Sequence, residues 1–476
     1  MNGGRFENIV VGSGPGGATT AHLLAEHGKQ VLLVEEGPNL PLESCTPFGV
    51  DEMTQKYRAG GLNPALGDAK VAFVEGRTVG GGSEINSGLY HRTPDEILDR
   101  WRNEFLLRDT TANDLLPHFR YCEEALGVTT YPGPVPLASR KLEQGAKQLG
   151  WRVLEVPRWF QYDGTVGPDG CPRGTRQSMT KTFVPRAVRA GASLLSDSRV
   201  QRLRREGNRW TLDMLHRGQA LRVEAVNVFV CGGAIQTPLL LRRSGITRNV
   251  GNTLAMHPTV KVVALFDEEV NHESLGVAVH QVKEFSPRIG FGCSISTPAH
   301  LALALSDYPS CASLVRSKWR HMAIYYAMIT GPNTGSIRGV WGLSDPLIRY
   351  KLTAPDLRDL ASGLRRLSKL LLAAGARTVY PSLAGAREIH GEDELTKIPG
   401  TLTANRSNLM TIHLFSSCPM GEDEGRCAVD SFGRVHGVPN LVVNDASVIP
   451  TAMGVNPQGT VMALARRNTL HALGVQ

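Results

Sequence analysis

Three features of the sequence predict an α/β fold divided between two domains. Residues 8–35 read as strand, glycine turn, helix and strand, the opening of a Rossmann-like nucleotide-binding sheet. A strand and a helix return late in the chain, at Leu441–Asn444 and from Thr460 to about Leu470. Between them, residues 258–400 change texture, to short alternating stretches and one amphipathic helix. A length of 476 residues also exceeds what one core usually serves. The expected division is a discontinuous nucleotide-binding domain (1–100, 190–257 and 405–476) and a second domain (101–189 and 258–404). The second is expected to be α+β, an antiparallel sheet flanked by helices.

The elements follow in order. Asn8–Val11 is a short apolar strand, Ala18–His27 has helical periodicity ended by Gly28, and Val31–Glu35 is a second buried strand. A loop-rich stretch covers 38–90. Helices are expected within 95–150, including Asp95–Trp101 and Leu142–Leu149, and a Gly/Pro-rich loop from Gly164 to Gly174. Two or three strands lie between Ser193 and Val230. In the second domain Lys261–Phe266 and Met322–Thr330 alternate as strands, and Ala354–Ala373 is the amphipathic helix.

Gly12-Ser13-Gly14-Pro15-Gly16-Gly17 fits G-x-G-x-x-G in the required context, after a strand and opening a helix. Gly12 makes the tight turn, Gly14 admits a pyrophosphate to the backbone, and Gly17 lets helix and strand pack closely. Glu35, at the end of the second strand, is placed to bind an adenosine ribose, which disfavours a 2′-phosphate and hence NADP.

A second glycine cluster, Gly76-Arg77-Thr78-Val79-Gly80-Gly81-Gly82-Ser83-Glu84-Ile85-Asn86, resembles the first signature of the glucose-methanol-choline (GMC) flavoprotein oxidoreductases. Gly233 to Ile246 resembles the second signature. His413 to Gly421, Asn444 to Pro450 and Asn456 to Thr460 resemble the family's C-terminal blocks. The departures lie at motif edges: Thr247 stands where glycine usually closes the second signature, and Thr93 precedes Pro94 with a one-residue displacement. The resemblance implies a Rossmann-like FAD-binding domain with FAD as cofactor. Some members attach FAD through a histidine just before the asparagine of the first signature. Ile85 holds that place, so non-covalent FAD is expected. The cofactor contacts implied are Gly12, Ser13, Gly14, Gly17, Glu35, Arg77, Gly81, Ser83, Asn86, Val200, Asp445, Ala446, Pro457 and Thr460.

Flavin-dependent alcohol oxidation needs the hydroxyl proton removed, the α-hydride delivered to the flavin and the developing alkoxide stabilised. The family places histidine at His413 and histidine or asparagine at Asn456. Asparagine cannot take a proton, so His413 is expected to be the base and Asn456 to hydrogen-bond the substrate oxygen. His257 matches a block that joins the two domains and is expected to be structural. The expected activity is oxidation of a small polar alcohol, sugar or aminosugar-like, as in aminoglycoside biosynthesis. Trp319, Tyr325, Tyr326 and Trp341 suit sugar stacking or a core. The competing readings are an apolar alcohol such as a sterol, a lyase, and a redox-silent FAD protein of the same family.

Other classes find little support. The net charge of +8 is concentrated at Arg199, Arg202, Arg204, Arg205 and Arg209, in an alternating segment that reads as a solvated hairpin. With no nucleic-acid motif, no nucleic-acid partner is expected. The eight cysteines include no C-x-x-C pair, so neither a metal site nor a flavin disulfide reductase is expected. No apolar run nears the roughly 18 residues of a membrane span, and no signal peptide is seen, so no membrane partner and a cytoplasmic location are expected. The partners expected are the alcohol and either dioxygen or another electron acceptor.

Overall fold

The computed structural model describes residues 4–272, 279–332, 334–343 and 345–475. Two large sheets organise them. The first holds Ser198–Glu206, Arg209–His216, Gln219–Val230, Arg5–Val11, Val31–Val34 and Ser193–Leu195 in that spatial order, and Leu441–Val443 pairs with the end of Gln219–Val230. Its centre is parallel, and Val31–Val34 is buried throughout, as a strand covered on both faces must be. The basic segment 198–216 is an antiparallel hairpin on the sheet's edge, with Arg202, Arg205 and Arg209 exposed.

Helices Pro15–Glu26 and Gln458–Leu473 pack together on this sheet. Asn444 ties them to the strands: its Nδ2 donates to Thr20 Oγ1 at 2.9 Å and to the Ala465 carbonyl at 3.0 Å.

The second sheet is nine-stranded and mostly antiparallel, centred on Thr259–Leu265 and Met322–Ile329. Helix Ala354–Ala373 lies across one face, burying Leu360, Leu364, Leu367 and Leu371 with Val260, Val262 and Ala327. A capping box starts it: Thr353 Oγ1 accepts from Asp356 N, and Asp356 Oδ2 accepts from Thr353 N at 2.8 Å. The opposite face carries Thr259 and Lys261, in register with Met328 and Tyr326. That face is turned to the first sheet and floors the cavity between them.

Several elements differ from the expectation. Asn63–Ala65, Val71–Phe73 and Leu409–Thr411, placed in the nucleotide-binding domain by sequence, are strands of the second sheet. Three-residue strands carry too little periodicity to be read. Residues 164–174, expected as a loop, belong partly to a hairpin of Arg158–Val166 and Pro172–Arg176, whose glycines and proline sit near its tip. Helix Ala112–Leu126, in the stretch assigned to the second domain, packs on Gln458–Leu473.

Candidate active site

One continuous cavity runs from the glycine turn after the first strand to the His413–Asn456 pair. At one end the two glycine clusters meet. Gly14 and Gly81 both line the cavity, and a Cβ on Gly81 would stand 2.9 Å from Gly14 Cα. Gly12 has φ +103°, a conformation open to glycine. A Cβ on Gly17 would fall 1.8 Å from the Gly12 carbonyl oxygen, so its role is helix-to-strand contact, behind the cavity wall. Gly82 also lines the cavity, and its missing Cβ would meet nothing within 4 Å, which leaves backbone open to a ligand.

Ser13 joins the two clusters. Its Oγ accepts from Gly80 N at 3.0 Å and donates to Glu35 Oε2 at 2.6 Å, while Ser13 N donates to the same oxygen at 3.0 Å. Gly37 N donates to Glu35 Oε1 at 2.9 Å. These bonds leave one acceptor position on Oε1, the number a ribose hydroxyl needs. Burial raises the Glu35 pKa, and these donors oppose the rise.

The expected cofactor residues divide into two groups. Gly12, Gly14, Glu35, Gly81, Asn86, Val200, Asp445, Ala446 and Pro457 line the cavity. Ser13, Gly17, Arg77, Ser83 and Thr460 do not; they brace the lining from behind. Ser83 Oγ donates to the Gly80 carbonyl at 2.7 Å and accepts from Met179 N, and Thr460 Oγ1 bonds Thr93 Oγ1 at 2.8 Å. Arg77 turns outward to Glu36 at 3.6 Å. Asp445 is held by the chain itself, with Oδ2 accepting from Gly233 N at 2.8 Å and Thr237 Oγ1, and Oδ1 from Ser447 N. Burial raises its pKa.

Sequence reasoning missed a polar layer around this end. Arg58 bonds Glu36 at 2.9 Å and Glu75 at 3.4 Å, and all three line the cavity. Arg176 donates to the Asn86 and Glu84 carbonyls and so pins the second glycine loop. Gln458 Oε1 accepts from Asn86 Nδ2 at 2.6 Å. Ile85 presents an apolar side chain to the cavity, without a nucleophile for covalent attachment.

At the other end His413 and Asn456 line the cavity together, with Asn456 Nδ2 at 3.3 Å from His413 Nε2. Asn456 Oδ1 accepts from Gln281 Nε2 at 3.1 Å. Behind them His257, expected to be structural, is in direct contact with His413: their Nδ1 atoms are 3.0 Å apart. His257 Nε2 accepts from Met453 N at 3.2 Å and Gly454 N at 3.0 Å. A nitrogen that accepts two peptide N–H groups carries no proton, so the hydrogen of a neutral His257 sits on Nδ1, in the contact with His413. At the cavity end Asn456 Nδ2, which can only donate, meets His413 Nε2 and calls for a lone pair on that nitrogen.

Burial pushes His413 down to about 4, helped by the Lys283 ammonium, and burial holds His257 well below its usual value. Both rings are neutral at pH 7. His413 Nε2 and the Asn456 amide thus stand side by side on the cavity wall, a neutral imidazole nitrogen beside an amide donor. Such a pair can take a hydroxyl proton and hold the oxygen that remains.

The floor and walls here are Thr259, Lys261, Tyr326, Met328, Met410, Ile412 and Leu414. Trp159 also lines the cavity, and its buried Nε1 has no partner. Of the aromatic residues singled out in sequence, Tyr326 lines the cavity. Tyr325 points to the opposite face, where it bonds the Ala138 carbonyl; Trp319 packs on a peripheral cluster and Trp341 is exposed.

Comparison with known proteins places the chain in a family. Residues 6–259 and 335–465 match the N- and C-terminal parts of the GMC oxidoreductase family. An uncharacterized GMC-type oxidoreductase of Sinorhizobium fredii is 41% identical over 96% of this chain and 93% of its own. A long-chain-alcohol oxidase of Arabidopsis thaliana is 27% identical over 96% of this chain and 65% of its own. The solved structure of a pyridoxine 4-oxidase from Mesorbium loti superposes with a TM-score of 0.76 at 21% identity, covering 99% of this chain and 100% of that one. The glycine clusters, Asp445 and the His413–Asn456 pair all lie within the matched segments, and the chain belongs to the GMC oxidoreductase family.

Proposed function

We propose that this FAD-dependent GMC oxidoreductase oxidises a primary or secondary hydroxyl to a carbonyl at the His413–Asn456 end of the cavity. The observation that carries the reading is the continuity of that cavity, from two facing glycine clusters to a neutral imidazole beside an amide donor. The backbone of Gly12, Gly14, Gly81 and Gly82, with Glu35, Val200, Asn86, Asp445, Ala446 and Pro457, would hold FAD without a covalent bond. Ser13, Gly17, Arg77, Ser83 and Thr460 support those residues. FAD, when bound, supplies the acceptor for the hydride from the carbinol carbon.

The chain's own groups act on oxygen. His413 Nε2 takes the hydroxyl proton while Asn456 Nδ2 donates to the same oxygen, and the imidazolium so formed hydrogen-bonds the carbonyl oxygen that results. This is the role expected of His413 from sequence. His257, in contact with Nδ1, orients the ring.

The substrate reading changes too. Met328, Met410, Ile412 and Leu414 give the reaction end an apolar lining, which favours an alcohol with an apolar body over a sugar. A cationic aminosugar finds no carboxylate among the lining residues there. The relationship to long-chain-alcohol oxidases points the same way.

The test is an anaerobic absorbance titration of the purified flavoprotein with aliphatic alcohols, sterols, sugars and aminosugars. Bleaching by an alcohol is expected, and recovery in air would mark an oxidase rather than a dehydrogenase using another acceptor. A flavin that no alcohol reduces would overturn the reading.

A further inference from the structure

We propose that the reaction end of the cavity receives an alcohol that carries an oxyanion, a carboxylate or a phosphate, seated against the Lys261 ammonium. The inference rests on the alcohol-oxidising reading above and names the substrate class for that site. Strand Thr259–Leu265 alternates: Val260 and Val262 go into the core under helix Ala354–Ala373, while Thr259 and Lys261 face the cavity. Lys261 is half-buried, with its side chain on the cavity wall. Among the described residues its Nζ has neither a hydrogen bond nor an ion pair, and desolvation by its surroundings pushes its pKa down to about 8. An ammonium held against a cavity without a counter-charge is stabilised by a ligand that supplies one.

Among the described residues the surroundings hold no such charge. The four carboxylates that line the cavity, Glu35, Glu36, Glu75 and Asp445, are all bonded within the cofactor end. His300, whose pKa falls to about 4 through burial and the nearness of Lys261, is neutral and bonds Thr297 Oγ1 at 2.7 Å. Lys283 adds a second positive charge, felt by both His413 and His257. The field at this end is positive and selects against cations.

Position adds a length requirement. Lys261 lies four residues beyond His257, the ring against His413, which is about 13 Å of extended chain. The oxyanion therefore binds several bonds from the carbon that is oxidised, which suits a terminal hydroxy acid or its phosphate counterpart and excludes a short α-hydroxy acid such as glycolate.

The experiment compares octanol, ω-hydroxyoctanoate, ω-hydroxyoctyl phosphate and glycolate as anaerobic reductants of the holoenzyme and of Lys261→Met. Octanoate, which has no hydroxyl to oxidise, is titrated separately by the shift in flavin absorbance. In the native enzyme one of the two long anions is expected to exceed octanol in kcat/KM by about tenfold or more, with glycolate inert. Whichever anion leads identifies carboxylate or phosphate. In Lys261→Met that ratio should collapse towards one, and octanoate, if the carboxylate leads, should bind about tenfold more weakly. Octanol equal to or better than both anions in the native enzyme, or a preference that survives Lys261→Met, overturns the proposal. If no alcohol bleaches the flavin yet octanoate binds in a Lys261-dependent way, the oxidation reading fails while the anion site stands.

Discussion

Two peptide N–H groups, from Met453 and Gly454, hold His257 Nε2 as an acceptor, and His257 in turn meets the His413 ring at Nδ1. The orientation of His413 is thus set one residue back, at His257. A donor at Nε2 can be imitated by an amide, whereas a base cannot. His413→Gln and His413→Ala should therefore each lose about 100-fold or more in kcat with FAD still bound. Flavin reduction retained in His413→Gln alone would mean that the ring serves as a donor. Because His413 is held near 4, its titration should leave kcat flat from about pH 5 to pH 7; a rise centred near 6.5 would mean an unperturbed ring. Lys283 is the other residue with a cost attached, its enclosed Nζ lacking any partner among the described residues. Its pKa falls from about 10.4 unfolded to about 8 folded, so the unfolded chain binds more protons between these values and stability rises with pH there. Below pH 8 the penalty is fully present. Lys283→Met should then raise the unfolding free energy at pH 7 by about 1–3 kcal/mol, read as a higher Tm, and should lift the His413 pKa.

At the scale of elements, the glycine turn and the strand alternation carried most of what could be read in advance. The motif at 12–17 is a local device, with its acid one strand away, and Gly12, Gly14 and Glu35 line the cavity. The sequence did not reveal which neighbours face inward. Ser13 and Ser83 lie on these loops but bond backward, and Arg77 turns to Glu36, because side-chain direction depends on partners that the motif does not contain, such as Gly80, 67 residues from Ser13. Strand Thr259–Leu265 was legible as alternating, but which face met the cavity was not, and Lys261 passed unnoticed. Gln281, Trp159 and Arg176 come from segments with no motif at all. The two kinds of glycine make separate predictions. Gly17→Ala forces a Cβ to 1.8 Å from a carbonyl oxygen and should destabilise the fold by about 2 kcal/mol or more, seen by thermal melting. Gly82→Ala adds a methyl to open space in the cavity wall and should leave the apoprotein Tm unchanged while weakening FAD, measured by fluorescence titration.

At the scale of the whole molecule, two sheets face each other across one cavity, and each supplies what the other lacks. The parallel sheet brings turns and helix starts that suit phosphates; the antiparallel one brings a broad floor whose side chains can be varied without touching the cofactor. The change of texture near residue 258 falls where strand Thr259–Leu265 of the second sheet begins, and short strands from 63–73 and 409–411 join that sheet from other parts of the chain. The joint between Asn444 and Thr20 spans 424 residues of chain, and the helix that carries Gln458 lies against the one that follows Gly14. During synthesis the first glycine turn leaves the ribosome long before the residues that close over it. A nascent chain can shape the opening strand and helix, but it cannot retain FAD until Asn444 to Thr460 have emerged, so cofactor capture belongs to the last moments of translation or follows release.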